Sequence, residues 1–243
     1  MSETQLPDLT NREGVLFDLD GVLTPTSTVH MRAWRQVFEQ LFAQRGVQPS
    51  YADSDYYLHL DGKKRYDGVQ SLLASRHIDL PWGDPSDAPE AETICGVGNR
   101  KNDAFLAVLE AEGIQPYPGS LALLDRVVEA GVKVAVVSSS KNAEQVLQAA
   151  GIRDRFEVIV DGVVAEREGL PSKPAPDVFL AAARLLEIDP AHSAAIEDAT
   201  SGVASAEAAG FADVIGVDRG AGELALIDAG ATVIVSDLAE FVD

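Results

Sequence analysis

Four short stretches of the chain hold residue types that do little separately and a great deal together. "FDLDGVL" places Asp18 and Asp20 two residues apart, directly behind an apolar run. "VVSSSKN" sets Ser138, Ser139 and Ser140 behind another, "PSKPAPD" carries Lys173, and "IEDATSG" carries Glu197 and Asp198. Carboxylates crowded together need either protons or a cation. Three or four oxygen ligands with open positions suit Mg²⁺, which keeps waters and completes its shell with a substrate phosphate. Lys173 and Ser138 would then bind the remaining phosphoryl oxygens, as a point charge and a hydroxyl donor. With the phosphate neutralised, one carboxylate can attack phosphorus and form an aspartyl-phosphate. The second is free to protonate the leaving oxygen and later to deprotonate the acceptor. Each stretch also has a plainer reading: a turn, a helix cap, loop punctuation, or acids placed at a helix dipole. Their joint appearance, in this order, favours the catalytic one.

Those residues need a scaffold that brings them to one place. From about Tyr117 onward, short apolar runs ("VKVAVV", "RFEVIV", "SAAIED", "ADVIGV", "TVIV") alternate with helical spacings that close on glycine. This alternation means a parallel sheet covered on both faces, and "GVLFD" near the N-terminus has the same character. Ligands of open parallel sheets bind beyond the carboxyl ends of the strands, where the four polar sets fall. Between roughly Thr26 and Gln115 the pattern changes to three amphipathic helices, "STVHMRAWRQVFEQLFAQRG", "KRYDGVQSLLASR" and "NRKNDAFLAVLEAEG". The proline-rich "DLPWGDPSDAPEAE" reads as a loop between them. The expected organisation is an α/β core from residues 1–25 and 116–243, with residues 26–115 inserted as a helical lid.

Composition narrows the function classes. A formal charge of -20, from 39 acids against 19 lysines and arginines, argues against nucleic acid as a partner. Lysines are few and concentrate in "DGKKRYDG", "GNRKND", "SSSKN" and "PSKPAPD", which suggests pockets for a small anion within a repelling exterior. No apolar run approaches the length of about 20 residues that a membrane-spanning helix needs. The polar "MSETQLPDLTNRE" lacks the features of a secretion signal and reads as a short frayed tail. A single cysteine, Cys95, fits a reducing cytoplasm. The expected partner is a small-molecule phosphate bound by a monomer.

"FDLDGVL", "VVSSSKN", "SKPAPD" and "IEDATSG" together resemble the four ordered motifs of the haloacid dehalogenase-like (HAD) phosphotransferases, over nearly the whole chain. The resemblance implies an α/β, Rossmann-like parallel-sheet core with an inserted small α-helical cap. It implies Asp18 as nucleophile and Asp20 as general acid/base, with the Asp20 main-chain carbonyl also on Mg²⁺. Ser138 and Lys173 correspond to the phosphate binders, and Glu197 and Asp198 to the metal-binding acids. The helical segment is most similar to that of the β-phosphoglucomutases, which interconvert β-glucose 1-phosphate and glucose 6-phosphate through a bisphosphate. That likeness implies substrate contacts from Thr26, His30 and Trp34, from Arg65 at the second phosphate, and from Lys101 and Asn102. It adds Ser139, Ser140, Lys141 and Asn142 from the extended serine motif.

Two departures bear on the substrate. Pro25 stands where the family commonly has Asp, which fixes one φ angle and removes a carboxylate at the base of the cap. "DGVVAEREGLPSKP" and the proline-rich loop both look longer than their counterparts. The alternatives are a sugar-phosphate phosphatase of the same fold and, more remotely, a non-catalytic binding protein. A decayed enzyme would have lost one of Asp18, Asp20, Lys173 or Asp198, and all four are intact.

Overall fold

Six parallel strands form one sheet in the order β3-β2-β1-β4-β5-β6 in a computed structural model that describes residues 6–242. They are β1 (Gly14–Phe17), β2 (Lys133–Val137), β3 (Val158–Val160), β4 (Ala194–Glu197), β5 (Asp213–Val217) and β6 (Val233–Val235). Every residue of β1, β4 and β5 is buried, as continuous apolar strands covered on both faces require. Register aligns the polar residues at the strand ends. Phe17 of β1 lies beside Val136 of β2 and Ile196 of β4, so Asp18 comes level with Val137 and Glu197.

Helices cover both faces. On one side α5 (Pro118–Glu129) and α6 (Ala143–Ala149) bury Leu123, Leu124, Val127, Val146 and Leu147 against Val15, Phe17 and Val136. On the other, α7 (Gly162–Glu168), α8 (Asp177–Leu186), α9 (Thr200–Ala208) and α10 (Glu223–Asp228) pack Phe179, Val203 and Leu226 against Leu16, Ala195 and Val214.

Between β1 and α5 the chain is helical. α1 (Thr26–Arg45) is followed by α2 (Asp53–Asp55), which runs into a single π turn over Tyr56–Leu60, then by α3 (Arg65–Ser75) and α4 (Ile94–Glu112). This helical layer has a hydrophobic cluster of its own, centred on Phe38. The Phe38 ring meets those of Trp34, Phe42 and Tyr51 at centroid distances of 5.5, 5.6 and 6.0 Å. Arg76 closes the cluster through Nη2, which donates to both carboxylate oxygens of buried Asp55 at 2.7 Å.

Local chemistry explains where the elements depart from expectation. α4 begins at Ile94, earlier than its helical spacing suggests, because the Thr93 hydroxyl caps it by accepting from the Gly96 amide at 2.9 Å. α7 lies in a stretch whose sequence reads as a loop. Asp161 accepts from the Val163 and Val164 amides at its start, and Gly169 ends it with a φ of 66°. The proline-rich loop is pinned to α4: Asn99 donates to the carbonyls of Pro85 and Asp87, and Arg100 to that of Pro89. The expected frayed tail is corrected in part. Leu9 is buried in the core beneath a turn capped by Asp8, while Met1 to Gln5 lie outside the described residues.

Pro25 starts α1, its carbonyl accepting from the Thr28 hydroxyl at 2.7 Å. The two chain connections between helical layer and sheet are joined by the Tyr117 amide donating to the Leu23 carbonyl at 3.0 Å. Among the described residues no helix is long and apolar enough to cross a membrane.

Both tryptophans, Trp34 and Trp82, lie between β1 and α5, so their fluorescence reports on the helical layer alone. Phe38→Ala is expected to cost about 3–5 kcal/mol in the transition seen by tryptophan fluorescence. Equal losses by fluorescence and by far-ultraviolet circular dichroism would show instead that the two cores melt as one unit.

Candidate active site at the sheet edge

The carboxyl ends of β1, β2 and β4 converge on one ammonium group. Lys173 donates to Asp18 Oδ1 at 2.7 Å, to the Val137 carbonyl at 3.0 Å and to Glu197 Oε1. All four residues are buried. Asp18, Glu197 and Asp198 each offer a carboxylate oxygen within 4.8 Å of the others, a set of hard oxygen donors that fits a divalent cation. Among the described residues Asp198 forms no salt bridge, which leaves its oxygens available to such an ion. Gly21 makes the crowding possible: its φ of 95° suits glycine, and a Cβ there would overlap the Asp198 carboxylate at 1.7 Å.

The Asp20 side chain lies outside that cluster, as a metal contact through its main-chain carbonyl allows. Its Oδ1 accepts from the Thr26 hydroxyl and stands 3.4 Å from His30 Nε2. Its Oδ2 accepts from Ser138 at 3.4 Å. His30 lies against Phe105 with centroids 4.2 Å apart and the rings tilted by 36°, and its Nδ1 meets Lys101 Nζ. The Lys101 ammonium in turn lies 4.9 Å above the Trp34 ring.

A cavity of about 500 Å³ separates the sheet edge from the helical layer. Asp18, Asp20 and Ser138 to Asn142 line its floor, with His30, Trp34, Arg65 and Lys101 opposite. Lys63, Lys64 and Lys141 also face it, so the basic residues of three separate sequence clusters converge there. Arg65 donates to Asn102 Oδ1 at 2.6 Å, and Asn142 donates to the same oxygen at 2.8 Å, joining wall to floor. Further contacts tie the layers together: Ser139 to the Gly62 carbonyl at 2.7 Å, Ser201 to that of Asp61 at 3.1 Å, and Lys64 to that of Leu170 at 2.7 Å. Ser140 accepts from the Asn142 amide at 3.1 Å, and Lys141 is paired with Glu166 at 2.7 Å. Thr26 and Asn102 hold other site residues in place rather than lining the cavity.

A family model described as haloacid dehalogenase-like hydrolase matches residues 13–210. The chain belongs to that family. It is 47% identical over 235 residues to a β-phosphoglucomutase of Mycobacterium tuberculosis, covering 93% of this chain and 89% of the relative. Among solved structures, CbbY from Rhodobacter sphaeroides, crystallised as a variant with xylulose-(1,5)bisphosphate, has a TM-score of 0.73 and 28% identity. It covers 94% of this chain and 96% of its own. β-Phosphoglucomutase from Clostridium difficile has a TM-score of 0.74 and 26% identity, covering 94% and 92%.

This HAD-family site divides its carboxylates by environment. Burial, the neighbouring Glu197 charge and Asp20 push Asp18 well above the usual carboxylate range, against the pull of Lys173. Asp198 is raised in the same direction by burial and then by Asp61, Asp18 and Glu197. Burial works on Asp20 too, but His30, the Thr26 hydroxyl and Lys101 outweigh it and hold Asp20 at about 2. Burial and then the Arg65 charge bring Lys101 down to about 7. His30 is lowered by burial and by Lys101.

Two members of the site escape sequence reasoning. Asp61 sits in the cavity wall and is raised to about 7, chiefly by burial. It immediately precedes Gly62 in the basic stretch, where its sign hides it among the lysines. Trp82 reaches the cavity from the pinned proline-rich loop and meets Tyr66 edge-on at 6.4 Å. Only the pinning of that loop reveals it.

A buried lysine whose pKa is depressed on folding makes stability depend on pH. Below about pH 7 both folded and unfolded chains hold the Lys101 proton, and the cost of burying the charge is present in full. As pH rises from there toward 10.5 the unfolded chain binds more protons, and that cost is relieved. Lys101→Met is therefore expected to stabilise the protein at pH 6 by a few kcal/mol more than at pH 10. Denaturant titrations at the two pH values test this, and a gain independent of pH would refute it.

Proposed function

We propose that the chain is a Mg²⁺-dependent phosphotransferase that interconverts β-glucose 1-phosphate and glucose 6-phosphate through a bisphosphate. In this reading residues 26–115 act as a cap over a core of residues 1–25 and 116–243. The observation that carries it is one cavity with two anion-receptive ends. Ser138 and Lys141 line the sheet edge, with Lys173 held directly behind Asp18, and Arg65, anchored by Asn102, lines the helical side. A phosphatase needs only the first. An enzyme that turns a bisphosphate end over end needs both, and the guanidinium supplies a planar, permanently charged clamp for the second. The name of the Mycobacterium tuberculosis relative supports the same substrate.

The residues divide the work between nucleophile, proton carrier and anion clamps. Asp18, already phosphorylated, is attacked at phosphorus by the 6-hydroxyl of β-glucose 1-phosphate; the new P–O bond forms as the bond to Asp18 breaks. Asp20, ionised in its cage of Thr26, His30 and Ser138, takes the hydroxyl proton. The bisphosphate then turns so that Arg65 holds the 6-phosphate and the 1-phosphate faces Asp18. Asp18 attacks that phosphorus, O1 leaves with the proton from Asp20, and glucose 6-phosphate departs. Lys173 holds the Asp18 carboxylate through Oδ1 and would stabilise charge on the phosphoryl group. Asp18 and Asp198, with Glu197 behind them and the Asp20 carbonyl, would hold Mg²⁺, whose chemistry is to neutralise the phosphoryl oxygens. Contacts between Ser139 and Gly62 and between Asn142 and Asn102 hold the cap down and keep competing water out.

Purified protein with Mg²⁺, β-glucose 1-phosphate and a trace of glucose 1,6-bisphosphate is expected to form glucose 6-phosphate. Stoichiometric free phosphate in its place would identify a phosphatase. Asp18→Asn is expected to abolish both turnover and phosphoenzyme labelling; normal labelling would refute its role as nucleophile. Arg65→Ala is expected to reduce mutase flux by about a hundredfold, as loss of a half-buried charged clamp implies. Hydrolysis of a small aryl phosphate, which never reaches that end of the cavity, should fall far less. Equal losses would remove Arg65 from the second phosphate.

A further inference from the structure

A second cavity, of about 250 Å³, lies at the hinge, where the chain passes between sheet and helical layer beside Ser27 and Tyr117, and adjoins the catalytic one. Three residues line both: Tyr56, Asp61 and Asp198. They are the partition between the two spaces. At the outer end of the second cavity stands Thr28, exposed to solvent on the first turn of α1, with Ala221 opposite in the loop before α10. Its volume leaves room for several waters, at about 30 Å³ each. Arg219 lines it too, but that side chain is committed. Its Nε donates to the Gly21 carbonyl at 3.1 Å and its Nη1 to that of Ser236 at 2.9 Å, while its face lies 4.0 Å from the Tyr117 centroid. Its Nη2 also stands 3.5 Å from Asp237, an ion pair that offsets its charge. The oxygens of Asp61 and Asp198 at the inner end are therefore the donors a cation meets in the passage.

The catalytic cavity offers a cation a poor path once it is in use. Contacts from Ser139 to Gly62, from Lys64 to Leu170 and from Asn142 to Asn102 close it along the cap, and substrate phosphate fills what remains. On the reading that Asp18 and Asp198 hold the divalent cation, we propose that the hinge-side cavity is the route by which that cation reaches and leaves Asp198 while the cap is closed. Metal exchange then proceeds without cap opening, and filling the cavity traps the ion.

Mn²⁺ is the probe, its release into excess chelator followed by electron paramagnetic resonance, with and without saturating inorganic phosphate. Thr28→Trp plugs the outer end from an exposed helix position, and Ala221→Phe fills the cavity independently. In the wild type, release is expected at a similar rate with and without phosphate. With phosphate bound, both variants are expected to release Mn²⁺ about tenfold more slowly or worse, a change of one decade in rate, at an unchanged equilibrium affinity. Wild-type rates in both variants overturn the proposal. Slowing matched by equally tighter affinity also overturns it, because the site rather than the path has then changed. Asp198→Asn with an undiminished Mn²⁺ signal would overturn the metal assignment itself. Release as expected, from a chain that yields only free phosphate from its sugar substrate, would sink the mutase reading and leave the route standing.

Discussion

One buried ammonium group sets the terms for the whole carboxyl edge of the sheet. Lys173 has almost no access to solvent, and burial alone would drive off its proton. Asp18 and Glu197 outweigh that penalty and hold it charged. The reverse holds as well: without Lys173, two carboxylates would face each other in a medium that solvates neither, and losing one member of such a set costs about 3–5 kcal/mol. The register that brings Asp18 level with Val137 and Glu197 is what lets a single side chain serve three strand ends. Even so, that one ammonium reaches only Asp18 and Glu197. Asp198 and nearby Asp61 lie beyond it and are pushed up by burial, and it is beside them that a divalent cation fits.

Much of this edge is legible in the chain because its signals are local. Continuous apolar runs mark the strands, and in a parallel sheet the residues just past their ends must share one side. Asp18, Ser138 and Glu197 can therefore be grouped without coordinates. Less legible are features that depend on a single distant or unusual contact. α7 rests on the Asp161 cap, and its outward-facing Val163 is 49% exposed, so it lacks a clear apolar stripe. Leu9 is recognisable as core only once α5 lies over it. Asp61 and Trp82 enter the site through the fold of the helical layer, whose packing no periodicity specifies.

The helical layer contributes charge of the opposite sign to the sheet edge, and their meeting gives the cavity its two ends. Neither half is complete alone. Asp20 belongs to the strand side, yet Thr26, His30 and Lys101 from the helices hold its charge. Asn142 belongs to the sheet side, yet it braces the amide that steadies Arg65. In the reaction we propose, proton handling and phosphate recognition would be shared across the seam, while attack on phosphorus would stay on one side of it.

The aromatic cluster around Phe38 has a consequence for how such a protein changes over generations. Because those rings pack among themselves and away from the strands, drift in the helices that shape the sugar's surroundings need not disturb Lys173 and its carboxylates. The exception is Trp34, whose ring lies 4.9 Å beneath the Lys101 ammonium and so ties that cluster to the groups around Asp20. Tolerance to change in the helical layer is therefore graded, widest around Phe42 and Tyr51 and narrowest where Trp34 meets the seam.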